Sequence, residues 1–337
     1  MKEFMDALDN LNKTDQPDKK KEVCSTLIID SNINFNPKIT IAIPTYKRPG
    51  FLKEAFESAN NQIGFDDYEI VIIDNDPTRG CETESLINSC DKNRLRYFKN
   101  SENIGMAGNW NRCIELSKGK YITILNDDDT LDENYLHQVN YILEKMGQVD
   151  ALLVRFSYMN ENSITTGNVV KYREEVKRVL LLELFWGNIN PGSLGILFSR
   201  QKMLEVGGFN NSYYPSFDYM FLVSFIVDFK NVFVINKYLA NYRLAVNESK
   251  NVLNDFIEKD DLIRKEFCSI FPVLKKLIRS SMPVVKYKQY LKISSTCPEF
   301  HQDNVDRIEE LYKKISLKNR FSLKIIYILL IFLRKLG

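Results

Sequence analysis

From Pro37 onward the chain alternates short apolar runs with stretches of helical period, and that alternation leaves few folds open to it. The runs are Ile39-Thr-Ile-Ala-Ile43, Tyr68-Glu-Ile-Val-Ile-Ile73, Leu95-Arg-Tyr-Phe98 and Tyr121-Ile-Thr-Ile-Leu125. Each has the length and the β-branched or aromatic content of a buried strand. Between the first two, Phe51, Leu52, Ala55, Phe56 and Ala59 recur at helical spacing. Residues 82–90 and 106–118 also read as helices, the latter with Trp110, Cys113, Ile114 and Ser117 on one side. Strands joined by helices of about 10–15 residues predict an α/β fold with a mostly parallel central sheet flanked by helices. In such a sheet ligands bind beyond the carboxyl ends of the strands. Three of those ends are polar: Thr45-Tyr-Lys-Arg48, Asp74-Asn75-Asp76 and Asn126 to Asp129. They are expected to converge on one crevice.

Composition narrows the chemistry. The 337 residues carry 46 basic and 44 acidic side chains, a net charge of +2. That balance gives no footing for a nucleic-acid binder held by bulk electrostatics. Two histidines, His137 and His301, are too few for a His-rich metal site and make a Ser-His-Asp triad improbable, which leaves the work to carboxylates. The six cysteines form no C-x-x-C pair, and the first twenty residues show no apolar signal segment. Reduced thiols and a cytoplasmic location are the expectation. Neither a P-loop nor a G-x-G-x-x-G follows the first strand.

The periodicity divides the chain into three parts. Residues 1–36 read as a polar N-terminal extension, charged over Asp15 to Glu22, with a short helix at 2–11. Residues 37–249 read as the principal domain, in two halves at 37–130 and 131–249. In that second half Ala151 to Phe156, Gly192 to Ser199 and Val232 to Ile235 suggest strands, 172–187 a helix, and Gly207-Gly208 a turn before a helix near Asp218. Residues 250–337 read as Lys-rich helix. Within them Ile325 to Leu333 is an apolar segment flanked by Lys324, Arg334 and Lys335. It falls well short of the ~20 residues needed to span a bilayer. The segment 321–335 is expected to lie on a membrane surface, with a core helix or an oligomer contact as the alternative.

Asp127-Asp128-Asp129 is the sharpest chemical feature. Adjacent carboxylates repel one another, and a hard, oxygen-seeking cation such as Mg²⁺ or Mn²⁺ would relieve them. Taken alone, the triplet reads rather as a solvated acidic turn that also caps the next helix. Its place after a buried strand, opposite two other polar strand ends, favours the cation. In the first loop, Tyr46 is suited to stack on a base and Lys47 or Arg48 to meet phosphate.

The segments Ile41-Ala-Ile-Pro-Thr-Tyr-Lys-Arg48, Ile72-Ile-Asp-Asn-Asp76, Asn103-Ile-Gly105 with Asn109-Trp-Asn111, and Ile124-Leu-Asn-Asp-Asp-Asp129 occur in the order and spacing of family 2 glycosyltransferases. Gly207-Gly208-Phe209 followed by Ser216-Phe217-Asp218-Tyr219 resembles a fifth motif of that family. The resemblance covers about Pro37 to Arg243. It implies a GT-A fold, Rossmann-like, with a helical C-terminal tail, and an enzyme of the hexosyltransferase type (EC 2.4) using a nucleotide-diphosphate sugar. Pro44, Thr45, Tyr46 and Arg48 would form the nucleotide loop, Asn75 would read the base edge with Asp74 in support, and Asn103, Gly105 and Asn111 would lie beside nucleotide and sugar. Asp127 would approach the ribose, Asp128 and Asp129 the metal, and Asp218 would be the catalytic base.

The implied reaction is inverting transfer from a UDP- or dTDP-sugar to a hydroxyl of a glycan or lipid-linked saccharide, in O-antigen or capsule synthesis. It would take place in the cytoplasm, peripherally on the inner face of the membrane, and without nucleic acid. Oligomeric state, sugar and acceptor are left open. The chain departs from the family at Asn126, Phe217 and Ala245, where the family often has Asp, Glu and His. Those departures keep a second reading in view, a nucleotide-sugar-binding protein that has lost catalysis.

Overall fold

A computed structural model describes residues 23–31, 36–160, 163–166, 176–244 and 252–336. The four expected runs are strands β2 (Ile39–Thr45), β3 (Tyr68–Asp74), β4 (Leu95–Asn100) and β5 (Tyr121–Ile124). They pair in parallel, β2 with β3 and β5, and β3 with β4. Helices α1 (Pro49–Asn60), α2 (Glu82–Ser89) and α3 (Gly105–Leu116) make the crossovers.

The second half of the sheet is mixed rather than parallel. It comprises β6 (Thr130–Leu131), β7 (Ala151–Asn160), β8 (Ser163–Thr166), β9 (Val176–Arg178), β10 (Ile196–Ser199) and β11 (Val232–Arg243). β10 lies antiparallel between β5 and β7, so it reverses the sheet direction beside the acidic turn. β7 and β11 are parallel to each other. The sheet order is β1-β4-β3-β2-β5-β10-β7-β11-β6, with β8 on β7 and β9 on β11.

Two expectations need correction. Residues 1–36 are not wholly an extension: Ser25–Asp30 form β1, an antiparallel edge strand on β4 with an irregularity between Leu27 and Ile29. An edge strand is half exposed, so it lacks the continuous apolar run that betrays a central one. The helix expected at 172–187 is, over its described part, strand β9 followed by a 3-10 turn at Leu181–Trp186. That turn buries Leu182, Leu184 and Phe185 together, and Gly187 at φ 137° ends it. Tertiary burial outweighs helical propensity there. The helix expected at 2–11 lies outside the described residues.

Successive strand residues face opposite sides, and each side has its own core. Ile39, Ile41 and Ile43 pack with Ile70 and Ile72 against α1 and α4 (Tyr135–Met146). Ala42, Val71, Ile73, Ile122 and Ile124 pack against α3 and α6 (Phe217–Asp228), which follows α5 (Arg200–Val206). This second core also takes in α7 (Leu253–Ile270), α8 (Lys275–Thr296) and, after α9 (Pro298–Asp303) and α10 (Val305–Lys314), α11 (Leu317–Leu336).

The C-terminal helices are therefore packed onto the same core as the sheet. Leu323, Ile326 and Leu330 of α11, spaced along one helical face, are buried in the core shared with α6. Phe321, Ile328 and Phe332 of the same helix are exposed. Among the described residues no helix is long and apolar enough to cross a membrane. Ile326→Ala is expected to cost about 2–5 kcal/mol in denaturant unfolding, and Ile328→Ala to stay within about 0.5 kcal/mol. Equal, small effects would mean that the tail is not docked.

Candidate active site

The three polar strand ends do converge. They form one side of a cavity of about 560 Å³ that reaches from Pro44, Thr45 and Tyr46 to Asp218. β2 ends in Pro44 and Thr45, and the loop then turns sharply, with Lys47 at φ 55°. A left-handed conformation is uncommon for a residue other than glycine. Here Tyr46 and Arg48 line the cavity, on either side of Lys47. The loop is fastened to the end of β5. The Thr45 hydroxyl donates to Asp127 Oδ2 at 2.8 Å, and Arg48 Nη1 donates to Asp127 Oδ1 and Asp128 Oδ2, both at 3.0 Å.

The acidic triplet divides. Asp127 and Asp128 line the cavity with Asn126. Burial pushes the Asp127 carboxyl up to about 6, against the opposing pull of Arg48. Asp129 does not line the cavity. It is buried and turned toward β11, accepting the Arg243 backbone N–H at 2.9 Å and the Asn126 amide at 3.0 Å. Burial and the neighbouring Asp128 hold its carboxyl well above the ordinary range. As a metal ligand it would have to give up both partners, and in this structure it supports the contact between the end of β5 and β11. Arg243 is structural too: its Nε donates to the Asp128 carbonyl at 2.9 Å and it pairs with Glu54 at 2.5 Å. Ala245 lies outside the described residues.

Asn75 lines the cavity, but its side chain is saturated. Its oxygen accepts the Asn100 amide at 2.9 Å and the Ile104 N–H at 3.0 Å. Its NH₂ donates to Asn103 Oδ1 at 2.7 Å and to the Gly105 carbonyl at 3.3 Å. An amide side chain has two donors and two acceptor positions, and all are used. Through these bonds Asn75 holds the Asn103–Gly105 segment on the cavity wall. Asp74 is buried behind it, accepting from Lys99 at 2.5 Å, Tyr97 at 2.8 Å and the Asp76 N–H at 2.9 Å, and does not reach the cavity.

Asn111 is likewise a positioning residue. It exchanges two bonds with Phe209, donating to its carbonyl at 2.8 Å and accepting its N–H at 2.7 Å. A Cβ on Gly208, where φ is +76°, would come within 2.3 Å of Asn111 Oδ1, so the turn needs glycine there. Trp110 packs edge-on against Phe209 and Phe217, with ring centroids 5.0 and 5.1 Å away. This clamp fixes the start of α6, and with it Asp218.

Asp218 is buried at the cavity wall. Its Oδ2 accepts the Asn188 amide at 2.7 Å and the Gly192 N–H at 3.0 Å. Burial pushes its carboxyl up to about 7, opposed by backbone N–H groups of its own helix turn. Helix-start and cavity positions thus hold together.

Several residues here were missed by sequence reasoning. Asn188, Gly192 and Tyr242 come from segments without a period. Phe256 and Asp260 come from α7, and Val252 from just before it, outside the expected domain. Asp260 accepts from Gln289 of α8 at 2.6 Å and lies 3.7 Å from Arg264, which is fully buried.

Among the described residues no group of three His, Cys, Asp or Glu side chains is arranged to hold a metal ion. The cavity offers Asp127 and Asp128, two hard carboxylates already sharing the Arg48 cation. That donor set fits a cation completed by substrate phosphates and not one held by protein alone.

Residues 40–205 match the profile of glycosyl transferase family 2, and the chain belongs to that family of enzymes. It is 26% identical over 218 residues to an uncharacterised glycosyltransferase of Methanocaldococcus jannaschii, covering 62% of this chain and 71% of that one. It is 31% identical over 129 residues to the GalNAc(5)-diNAcBac-PP-undecaprenol beta-1,3-glucosyltransferase of Campylobacter jejuni, covering 34% and 41%. The fold resembles S. aureus TarS 1-349 in complex with UDP-GlcNAc, with a TM-score of 0.61, 15% identity and 85% and 78% of the two chains covered. It also resembles the mannosyltransferase PcManGT of Pyrobaculum calidifontis in complex with GDP-Man and Mn²⁺, with a TM-score of 0.52, 17% identity and 88% and 87% covered.

The raised Asp218 carboxyl has a consequence for stability. It binds its proton more tightly folded than unfolded, so its contribution is full below about pH 4 and is lost as pH rises toward 7. Asp218→Asn is expected to be more stable than wild type at pH 8, by on the order of 4 kcal/mol. The difference should vanish near pH 4, as read by thermal unfolding across pH.

Proposed function

We propose that the chain is an inverting glycosyltransferase that moves a sugar from a UDP- or dTDP-sugar to a hydroxyl of a glycan or lipid-linked saccharide, in bacterial surface-polysaccharide synthesis. The observation that carries this reading is Asp218. It is a buried carboxylate with its charge near balance at neutral pH, facing the same cavity as Asp127, Asp128 and Arg48. A general base works best when its pKa lies near the working pH. An inactive sugar-nucleotide binder would have no use for such a group, and burying one carries a stability cost.

In this reading Tyr46 stacks on the base, and the Asn103–Gly105 wall held by Asn75 bounds the nucleotide. Asp127 approaches the ribose. Arg48 meets the diphosphate. Asp128, with Asp127, would hold a Mg²⁺ or Mn²⁺ shared with the diphosphate. Such an ion, when bound, supplies charge stabilisation to the departing diphosphate. Asp218 takes the proton of the acceptor hydroxyl as that oxygen bonds to the anomeric carbon and the bond to the diphosphate breaks. One displacement from the face opposite the leaving group inverts the anomeric centre. Asn188 and the Gly192 N–H keep the Asp218 oxygen oriented. Val252, and Phe256 and Asp260 of α7, bound the acceptor end. The lipid-linked acceptor draws on the name of the Campylobacter jejuni relative. Work at the cytoplasmic face of a membrane draws on the basic, partly apolar tail.

Release of UDP or dTDP from a panel of nucleotide sugars, with Mg²⁺ or Mn²⁺ and saccharide acceptors, tests this. Asp218→Asn is expected to lower kcat by about 10²–10⁴-fold, with the nucleotide still bound. Asp128→Ala is expected to weaken the metal dependence. Wild-type protein that binds nucleotide sugar without consuming it under any of these conditions, and variants indistinguishable from it, would sink the reading.

A further inference from the structure

A second cavity, of about 540 Å³, lies away from the active site among α7, α8 and α10. Its lining is divided by chemistry. Met282, Pro283, Leu311 and Cys268 give it an apolar part. Lys265, Lys275, Arg279, Lys286 and Lys314 supply cations, against a single lining acid, Asp261. Two of the cations are balanced: Lys286 pairs with Glu258 at 2.8 Å and Lys314 with Glu310 at 2.5 Å. Lys265, Lys275 and Arg279 make no ion pair among the described residues.

The placement of Lys275 sharpens this. It opens α8, a 22-residue helix whose first turn holds Lys275 and Lys276 and no acid. The positive end of a helix disfavours cations and favours an anion. The unpaired lysine, the neighbouring Arg279 and the helix end all call for a negative group at one place.

The surface beside the cavity is apolar. Val273, 94% exposed, comes two residues before Lys275, and Leu317, 87% exposed, three residues after Lys314. Phe321 is 65% exposed. Asn319 of α11 donates to the Ser280 carbonyl of α8 at 2.6 Å, which keeps the exposed start of α11 next to the helix that carries Arg279. Large apolar side chains held in water beside unpaired cations suit an interface between water and anionic lipid.

We propose that this cavity receives the phosphate of an anionic lipid, with Lys275, Arg279 and Lys265 on the phosphate and Val273, Leu317 and Phe321 in the acyl boundary. The assignment rests on the membrane-surface reading of the tail and gives it a site. It is independent of the glycosyl-transfer chemistry.

Flotation of the full chain with phosphatidylcholine vesicles, with and without phosphatidylglycerol, tests it. Binding is expected only with phosphatidylglycerol, and the pair Lys275→Glu and Arg279→Glu should weaken it by roughly tenfold or more. Inorganic pyrophosphate should displace the wild type further than sodium chloride of equal ionic strength. Both substituted side chains are exposed, so the melting temperature and the hydrolysis of nucleotide sugar should be unchanged. If the pair perturbs folding, Lys265→Glu on α7 gives the same reading from another helix. Wild-type binding that these variants leave intact would overturn the cavity and leave the membrane reading standing. Absence of wild-type binding, or equal binding to pure phosphatidylcholine, would overturn both. Pyrophosphate binding without vesicle binding would assign the cavity to a soluble phosphate and overturn the lipid.

Discussion

Three carboxylates in a row at the end of a buried strand cannot all remain charged and unpaired, and much of the site follows from how this chain divides them. Arg48 bridges Asp127 and Asp128, and the Thr45 hydroxyl completes Asp127. Asp129 turns the other way and is satisfied by the Arg243 N–H and the Asn126 amide. One division ties the loop after β2 to the end of β5, and the other ties β5 to the end of β11. Charge-assisted bonds of this kind are strong where water is excluded, and each unpaired partner would be costly. The same bonds leave two oxygen-rich side chains on the cavity and none to spare for a cation held by protein alone.

The opposite wall depends on packing more than on charge. Asn111, Trp110, Phe209 and Phe217 lock the Gly207-Gly208 turn against α3, and Asp218 follows directly. Asp218 then sits in a desolvated place where its only close donors are neutral: an amide and backbone N–H groups. The two halves of the cavity are thus tuned differently. Arg48 opposes the burial that raises the Asp127 carboxyl, whereas no cation opposes the burial of Asp218. Helix α7 closes the far end with Asp260, whose partners Gln289 and Arg264 belong to the C-terminal helices. The cavity therefore takes part of its lining from beyond residue 249.

Much of the nucleotide half was legible because central strands announce themselves. β2, β3 and β5 are buried on both faces and read as continuous apolar runs. β1 and β9 did not, because edge and short strands are only half buried. The site residues divide in the same way. Pro44, Thr45, Tyr46, Arg48, Asn75, Asn103, Gly105, Asp127, Asp128 and Asp218 line one cavity as anticipated. Asp74, Asn111 and Asp129 stand behind it as supports. What distinguishes support from lining is the direction of a side chain and the partner it finds, and neither leaves a mark on spacing.

The sequence by itself determined the parallel core, the convergence of its polar strand ends and the carboxylate character of the chemistry. Those follow from period and residue type, which are local properties. Only the tertiary structure decided which carboxylates face the cavity, that Asn75 spends its amide inside the protein, and that α7 walls one end of the cavity. Each of these depends on contacts between residues far apart in the chain: 114 positions for Asp129 and Arg243, and 98 for Asn111 and Phe209. No local pattern can encode them, because the partner that fixes each side chain arrives only when the sheet and the C-terminal helices have closed around it.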